Sequence, residues 1–256
     1  MSVSVFPIKA FNDNYIWCIH NKTHCSVVDP GDAAPVLAYC QDNQLILSAI
    51  IITHHHWDHT GGIDALLAAF PNIQVYGPQN KNIKQITVRL SQGDNFELAQ
   101  LSVKLSVLEV PGHTLDHIAY YGDIGLFCGD TLFSAGCGRL FEGTPQQMFT
   151  SLGKLTALPA DTAVFCTHEY TMANIAFAEA VEPNNQALID YKRWANQQRA
   201  KSAPTLPSNI QRELDVNPFL RCHSKELVAN VSKNMGARLV SEQTTFASLR
   251  SWKDNF

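Results

Sequence analysis

One ten-residue stretch narrows the possible folds of this chain more than any other: Thr53-His54-His55-His56-Trp57-Asp58-His59-Thr60-Gly61-Gly62, placed directly after the apolar run 45–52. Imidazoles and carboxylates beside a buried strand are costly unless each is hydrogen-bonded or ligates a metal, so a merely polar turn would be an expensive use of these residues. In extended backbone, residues i and i+2 share a face. His54 and His56 can therefore converge on one ion while His55 points elsewhere. Asp58 and His59 fall at the turn into the next helix, where the two glycines are expected to let the backbone bend tightly. One short peptide thus offers two adjacent ligand sets.

Three other apolar runs end in the same way, in Pro111-Gly112-His113-Thr114, Cys128-Gly129-Asp130-Thr131-Leu132-Phe133 and Cys166-Thr167-His168-Glu169-Tyr170. Taken singly each reads equally well as an ordinary turn. Together they add His113, Asp130 and His168 at strand ends, where α/β architectures leave loops free for function. The runs 25–31, 45–54, 73–78, 101–113, 117–122, 125–130 and 162–168 read as strands. Ile63, Leu66, Leu67 and Phe70 fall at i, i+3, i+4 and i+7, a helix with one buried face. Thr144-Pro145-Gln146-Gln147 supplies an N-cap, a first-turn proline and a capping-box partner for a helix reaching about 157.

After about residue 169 the strand pattern stops. Helical spacing covers 171–181, 186–201, 208–214, 224–235 and 242–252, with Ser208 and Gln211 placed as a second capping box. The organisation predicted is an α/β domain over 1–169 followed by an all-helical domain over 170–256. At 256 residues and 45% hydrophobic, the chain can build a core without disulfide staples. Its seven cysteines are odd in number and scattered, with no C-x-x-C pair, which argues against an oxidised framework and a thiolate zinc knuckle and points to a reducing cytoplasm. No signal-like start is visible, and no apolar run approaches the roughly 20 residues a bilayer demands, so membrane partners are not expected. A net charge of −4 without a basic block lacks the footprint of a nucleic-acid binder. An acidic ligand would be held by a few placed cations, and a monomer is expected.

Thr53 to His59 satisfies the pattern T-H-x-H-x-D-H, and with the later His, Asp and His in order the chain resembles the metallo-β-lactamase superfamily. The resemblance is closer to glyoxalase II, the hydroxyacylglutathione hydrolases. It runs through Asn12-Asp13-Asn14-Tyr15, Gly129 to Phe133, Gly136-Cys137-Gly138-Arg139, Thr167-His168-Glu169-Tyr170-Thr171 and the helical C-terminal part. It implies an αββα sandwich with a C-terminal all-helical, substrate-binding domain. It also implies two divalent ions per chain, the first on His54, His56 and His113, the second on Asp58, His59 and His168, with Asp130 bridging. Nitrogen and oxygen donors suit zinc first, with iron or manganese as alternatives.

On this resemblance a hydroxide bound by both metals, with Asp58 and Asp130 as the catalytic carboxylates, attacks a carbonyl while a metal stabilises the oxyanion. A thiolate leaving group, with a pKa of about 8 to 9, needs little help from an acid. The implied reaction takes S-(2-hydroxyacyl)glutathione, chiefly S-D-lactoylglutathione, to D-lactate and glutathione, the second step of methylglyoxal detoxification. Arg139, Arg250 and Lys253 match the family's carboxylate-binding positions, and Tyr170 and Asn174 are further contacts. Arg139 stands where lysine is familiar and Phe141 where a tyrosine is, so one hydroxyl contact to the glutathione backbone is missing. The rival is a glutathione persulfide dioxygenase, which shares the fold and opening motif but uses a single iron; the full second ligand set favours the hydrolase. His55 and His117 read as structural, and Asp29 reads equally as a strand-ending turn or as an orienter of a ligand histidine.

Overall fold

The computed structural model describes residues 3–256, which form two compact units: residues up to 109 with 116–129, and 110–115 with 130–256. The first unit opens with the antiparallel strands β1 (Ser4–Ala10), β2 (Asn14–His20) and β3 (His24–Val28). Parallel strands β4 (Ile46–Ile51), β5 (Gln74–Pro78) and β6 (Val88–Leu90) extend the sheet in the order β1-β2-β3-β4-β5-β6. Strand β1 carries Pro7, which breaks the strand pattern in sequence and is tolerated because β1 lies at the sheet edge.

Helices α1 (Ala33–Asp42), α2 (Trp57–Thr60) and α3 (Ile63–Ala69) connect the parallel strands. Val36 and Cys40 of α1 and Ile63 and Leu66 of α3 join Val27, Ile50 and Val75 in one buried cluster. The meander β7 (Asn95–Leu98), β8 (Val103–Glu109), β9 (Ile118–Gly122) and β10 (Gly125–Gly129) faces the first sheet. Phe96 stacks on Tyr76 at 4.4 Å, and the Tyr120 hydroxyl donates to the Ile52 carbonyl at 2.6 Å. A strand covered on both faces can be apolar throughout, as the buried Ala49, Ile50, Ile51 and Ile52 are, although Ile46 at the start of β4 is exposed.

In the second unit a short hairpin, β11 (Leu132–Phe133) and β12 (Gly136–Cys137), precedes α4 (Pro145–Thr156). Strand β13 (Ala163–Cys166) leads to α5 (Thr171–Val181) and α6 (Gln186–Ala200), and β14 (Ser208–Asn209) pairs with β13. Helices α7 (Ile210–Val216), α8 (Lys225–Met235) and α9 (Glu242–Asp254) complete it, with a 3-10 turn at Pro218–Leu220. Its core includes Ile175, Ala178, Leu188, Tyr191 and Val216. No helix among the described residues is long and apolar enough to cross a membrane.

The capping box of Thr144 and Gln147 forms as expected. The one assigned to Ser208 and Gln211 does not. Asn209 caps α7 by accepting from Arg212 N at 2.8 Å, because the Ser208 hydroxyl is used in donating to the buried Glu213 carboxylate. Gly62 also serves a different purpose from the tight bend expected. Its backbone is helical at φ −85°, and a Cβ there would lie 2.5 Å from the Pro30 carbonyl oxygen, so close approach is what demands glycine.

Candidate metal centre

The first unit brings together all four candidate ligands of the 54–59 peptide. His54 Nε2 lies 3.1 Å from His56 Nδ1, and His59 Nε2 lies 3.5 Å from Asp58 Oδ2. Two donors bound to one tetrahedral ion at about 2.0–2.1 Å sit about 3.3 Å apart, so both separations fit a shared ion. Orientation comes from Asp29, fully buried just after β3 in the left-handed region at φ +54°. Its carboxylate accepts from Thr53 N and Thr53 Oγ1, each at 2.8 Å, and lies 3.0 Å from His59 Nδ1.

A hydroxyl has a single proton to give. Since Thr53 Oγ1 donates to Asp29, it accepts from His54 Nδ1 at 3.0 Å, which leaves the lone pair of His54 on Nε2. The Asp29 carboxylate beside His59 Nδ1 favours the proton on that nitrogen, and His59 Nε2 faces Asp58. Asp29 thus lies behind two candidate ligands at once, His54 through Thr53 and His59 directly. Asn14, present in the Asn12–Tyr15 motif but given no role by sequence reasoning, donates from Nδ2 to Asp58 Oδ2 at 3.1 Å. His55 turns away to Asp116 at 2.9 Å, and His117 stacks on His54 with its Nδ1 on the Ile118 carbonyl.

The second unit gathers His113, Asp130 and His168, all buried. Both His113 Nε2 and His168 Nε2 lie 3.4 Å from the same oxygen, Asp130 Oδ2. That is long for a charge-assisted hydrogen bond and suits donors arranged around an ion. His113 donates from Nδ1 to the Arg139 carbonyl at 2.7 Å, again leaving Nε2 for a ligand. The carbonyl of His113 accepts from Phe141 N at 3.2 Å and Glu142 N at 3.3 Å, so the 139–142 loop grips this segment. On the donor chemistry of both units, these residues fit divalent metal ions: nitrogens and carboxylate oxygens, buried except for the half-buried His56 and Asp58, with the far ring nitrogens of His54, His59 and His113 facing Thr53, Asp29 and the Arg139 carbonyl.

The candidate substrate contacts lie in the second unit. Phe141, 62% exposed, meets His113 edge-on at 5.2 Å, and the Arg139 guanidinium lies 5.8 Å from the Phe141 ring. Tyr170 stacks flat on His168 at 4.6 Å. Lys253 Nζ donates to Asn174 Oδ1 at 2.5 Å, and Asn174 Nδ2 donates to the Ser134 carbonyl at 2.9 Å. Burial, reinforced by the neighbouring Arg250, lowers the Lys253 pKa to about 8. Arg250, one turn earlier on α9, is itself buried. It donates to the Cys137 carbonyl at 3.1 Å and to Asp254 at 2.8 Å, while its Nε is buried without a hydrogen-bond partner.

Comparison with known proteins agrees along the whole chain. Residues 12–168 match the family model described as the metallo-beta-lactamase superfamily, and residues 169–256 match the one described as hydroxyacylglutathione hydrolase C-terminus. A hydroxyacylglutathione hydrolase of Aliivibrio salmonicida is 56% identical over 97% of this chain and 98% of its own. One of Nitrosomonas europaea is 49% identical over 99% of this chain and 97% of its own. Among solved structures, ETHE1 from Myxococcus xanthus superposes with a TM-score of 0.64 at 22% identity, covering 99% of this chain and 98% of that one, which shows a shared fold. The architecture is thus the α/β metallo-β-lactamase sandwich with a helical C-terminal part. Similarity this high over nearly the full length, in both sections of the chain, makes it a member of the hydroxyacylglutathione hydrolase (glyoxalase II) family within the metallo-β-lactamase superfamily.

Proposed function

We propose that this chain hydrolyses S-(2-hydroxyacyl)glutathione, S-D-lactoylglutathione above all, to the hydroxy acid and glutathione. The supporting observation is the complete donor set, oriented in each unit, in a chain about half identical to hydroxyacylglutathione hydrolases over nearly its whole length. In this reading His54, His56 and His113 hold one divalent ion, Asp58, His59 and His168 a second, and Asp130 both, with zinc the preferred metal. Two such ions supply an activated water and a Lewis acid for acyl transfer. Asp58 and Asp130 contribute negative charge that lets two dications share the site.

The rest falls to the chain's own residues. Asp29, Thr53 and the Arg139 carbonyl keep the ligand imidazoles in the tautomer that offers a lone pair. Lys253, supported by Asn174, and Arg139 attract the glutathione carboxylates; Arg250 adds fixed positive charge beside Lys253; Tyr170 and Phe141 supply flanking aromatic surface. The departing thiolate is stable enough to leave without a dedicated acid. In domain terms, residues 1–169 form the catalytic part and 170–256 the substrate-binding part of a cytoplasmic monomer. Metal analysis paired with an S-D-lactoylglutathione assay tests the proposal. Two ions per chain with rapid thioester cleavage support it. One iron per chain, with oxygen uptake on glutathione persulfide and intact thioester, would overturn it in favour of a dioxygenase.

A further inference from the structure

The hairpin β11–β12 joins two parts of the candidate site: Asp130 precedes it by two residues, and Gly138-Arg139 follow it directly. Its two ends are tied together, since Gly138 N donates to the Thr131 carbonyl at 3.2 Å and a Cβ on Gly138 would fall 1.9 Å from the Asp130 carbonyl oxygen. A displacement of the hairpin therefore moves the carboxylate and the substrate-facing loop together. Two-residue strands cannot hold such a hairpin in place alone.

What holds it is a buried carboxylate. Glu213 of α7, 0% exposed, accepts from Ala135 N at 2.8 Å, Ser134 Oγ at 3.1 Å, Asn217 Nδ2 at 3.0 Å and the Ser208 hydroxyl. Asn217 donates onward to the carbonyls of Gly136 at 2.8 Å and Phe133 at 3.1 Å, so the pair grips both strands of the hairpin and its turn. The turn carbonyl, Ser134 O, is held by Asn174, the same side chain that receives Lys253. All the donors to Glu213 are neutral, and its position in the interior of the second unit is costly unless every lone pair is used.

We infer that Glu213, acting with Asn217, is a positioning residue for the site: it fixes the hairpin whose ends carry Asp130 and Arg139. The inference rests on the metal ligands proposed above, and only its kinetic arm rests on the proposed reaction. The experiment compares wild type, Glu213→Gln and Arg221→Ala. The last breaks the Arg221–Glu182 ion pair elsewhere in the second unit and controls for a general loss of stability.

Glu213→Gln removes the charge and, with its carbonyl kept on Ala135 N and Asn217 Nδ2, turns an amide donor toward the Ser134 and Ser208 hydroxyls, which then lose their acceptor and must reverse, loosening the grip on the turn. Each protein is loaded with zinc and challenged with a chromogenic chelator, and kcat and KM for S-D-lactoylglutathione are measured separately. Zinc release about tenfold faster in Glu213→Gln, with kcat reduced and KM raised, is expected, while Arg221→Ala matches wild type at equal or greater loss of Tm. Folded Glu213→Gln with wild-type zinc release and kinetics, changed only in Tm, would overturn the inference. If Glu213→Gln does not fold, Ser134→Ala and Asn217→Ala carry the same comparison, and wild-type behaviour of both has the same overturning force. A wild type that holds zinc but leaves the thioester intact defeats the proposed reaction, while the zinc-release arm still decides the role of Glu213.

Discussion

The two units assemble their ligands by opposite means. The first takes His54, His56, Asp58 and His59 from one peptide of six residues, with a buried carboxylate, Asp29, locking two of the rings. The second takes His113, Asp130 and His168 from three distant segments and steadies them through backbone carbonyls and the gripped hairpin. A local motif needs few supporting residues, because chain connectivity already sets most distances. A dispersed one depends on the packing of everything between its members, so its supports are drawn from segments far away in sequence.

Removing a ligand from either half should be the most damaging change. His56→Ala and Asp130→Ala are each expected to lower kcat/KM by about a thousandfold or more, with bound metal falling in parallel. Retention of full metal and activity by one of them would show that the halves are unequal. Next comes Asp29→Asn, which removes one acceptor from Thr53 and the negative charge beside His59; losing a group that orients a metal ligand costs about 10- to 100-fold in metal affinity. Competition against a chelator measures it, and an effect below threefold would mean that connectivity alone orients the contiguous set.

The proposed substrate contacts, all in the second unit, provide a smaller contrast. Lys253→Met should raise KM for glutathione thioesters about tenfold while kcat stays near wild type, and leave small thioesters unaffected. With its pKa lowered to about 8, Lys253 is charged below that pH and neutral above it, so the wild-type KM should climb as pH rises past about 8 and the Lys253→Met profile should be flat there. The mildest change is Phe141→Tyr. On a side chain 62% exposed it should fold normally and, by restoring a hydroxyl, lower KM about two- to threefold.

The same contrast explains what the sequence disclosed. The 54–59 cluster was legible because strand periodicity and ligand spacing coincide there, and helices α5, α6, α8 and α9 lie within a residue or two of the periodic runs. His113, Asp130 and His168 were legible only as strand-end residues, their joint role coming from family resemblance. Strands β1 and β2, the two-residue strands of the hairpin, and helix α1 carry too weak a period to be read. Asn14, Glu213 and Asn217 were invisible as supports, since a polar residue's partner tens of residues away leaves no trace in local spacing. The displaced cap at Ser208 has the same cause: a distant acceptor took its hydroxyl.

The backbone of Asp29, at φ +54°, has a bearing on engineering. Few side chains tolerate that conformation, asparagine and aspartate best after glycine, so the position admits hardly any replacement on steric grounds before chemistry is considered. Glycine there would relax the chain and discard the acceptor, whereas asparagine would keep the chain geometry, remove the charge and turn one acceptor into a donor. That pair separates conformational from electrostatic control of a metal ligand within a single codon.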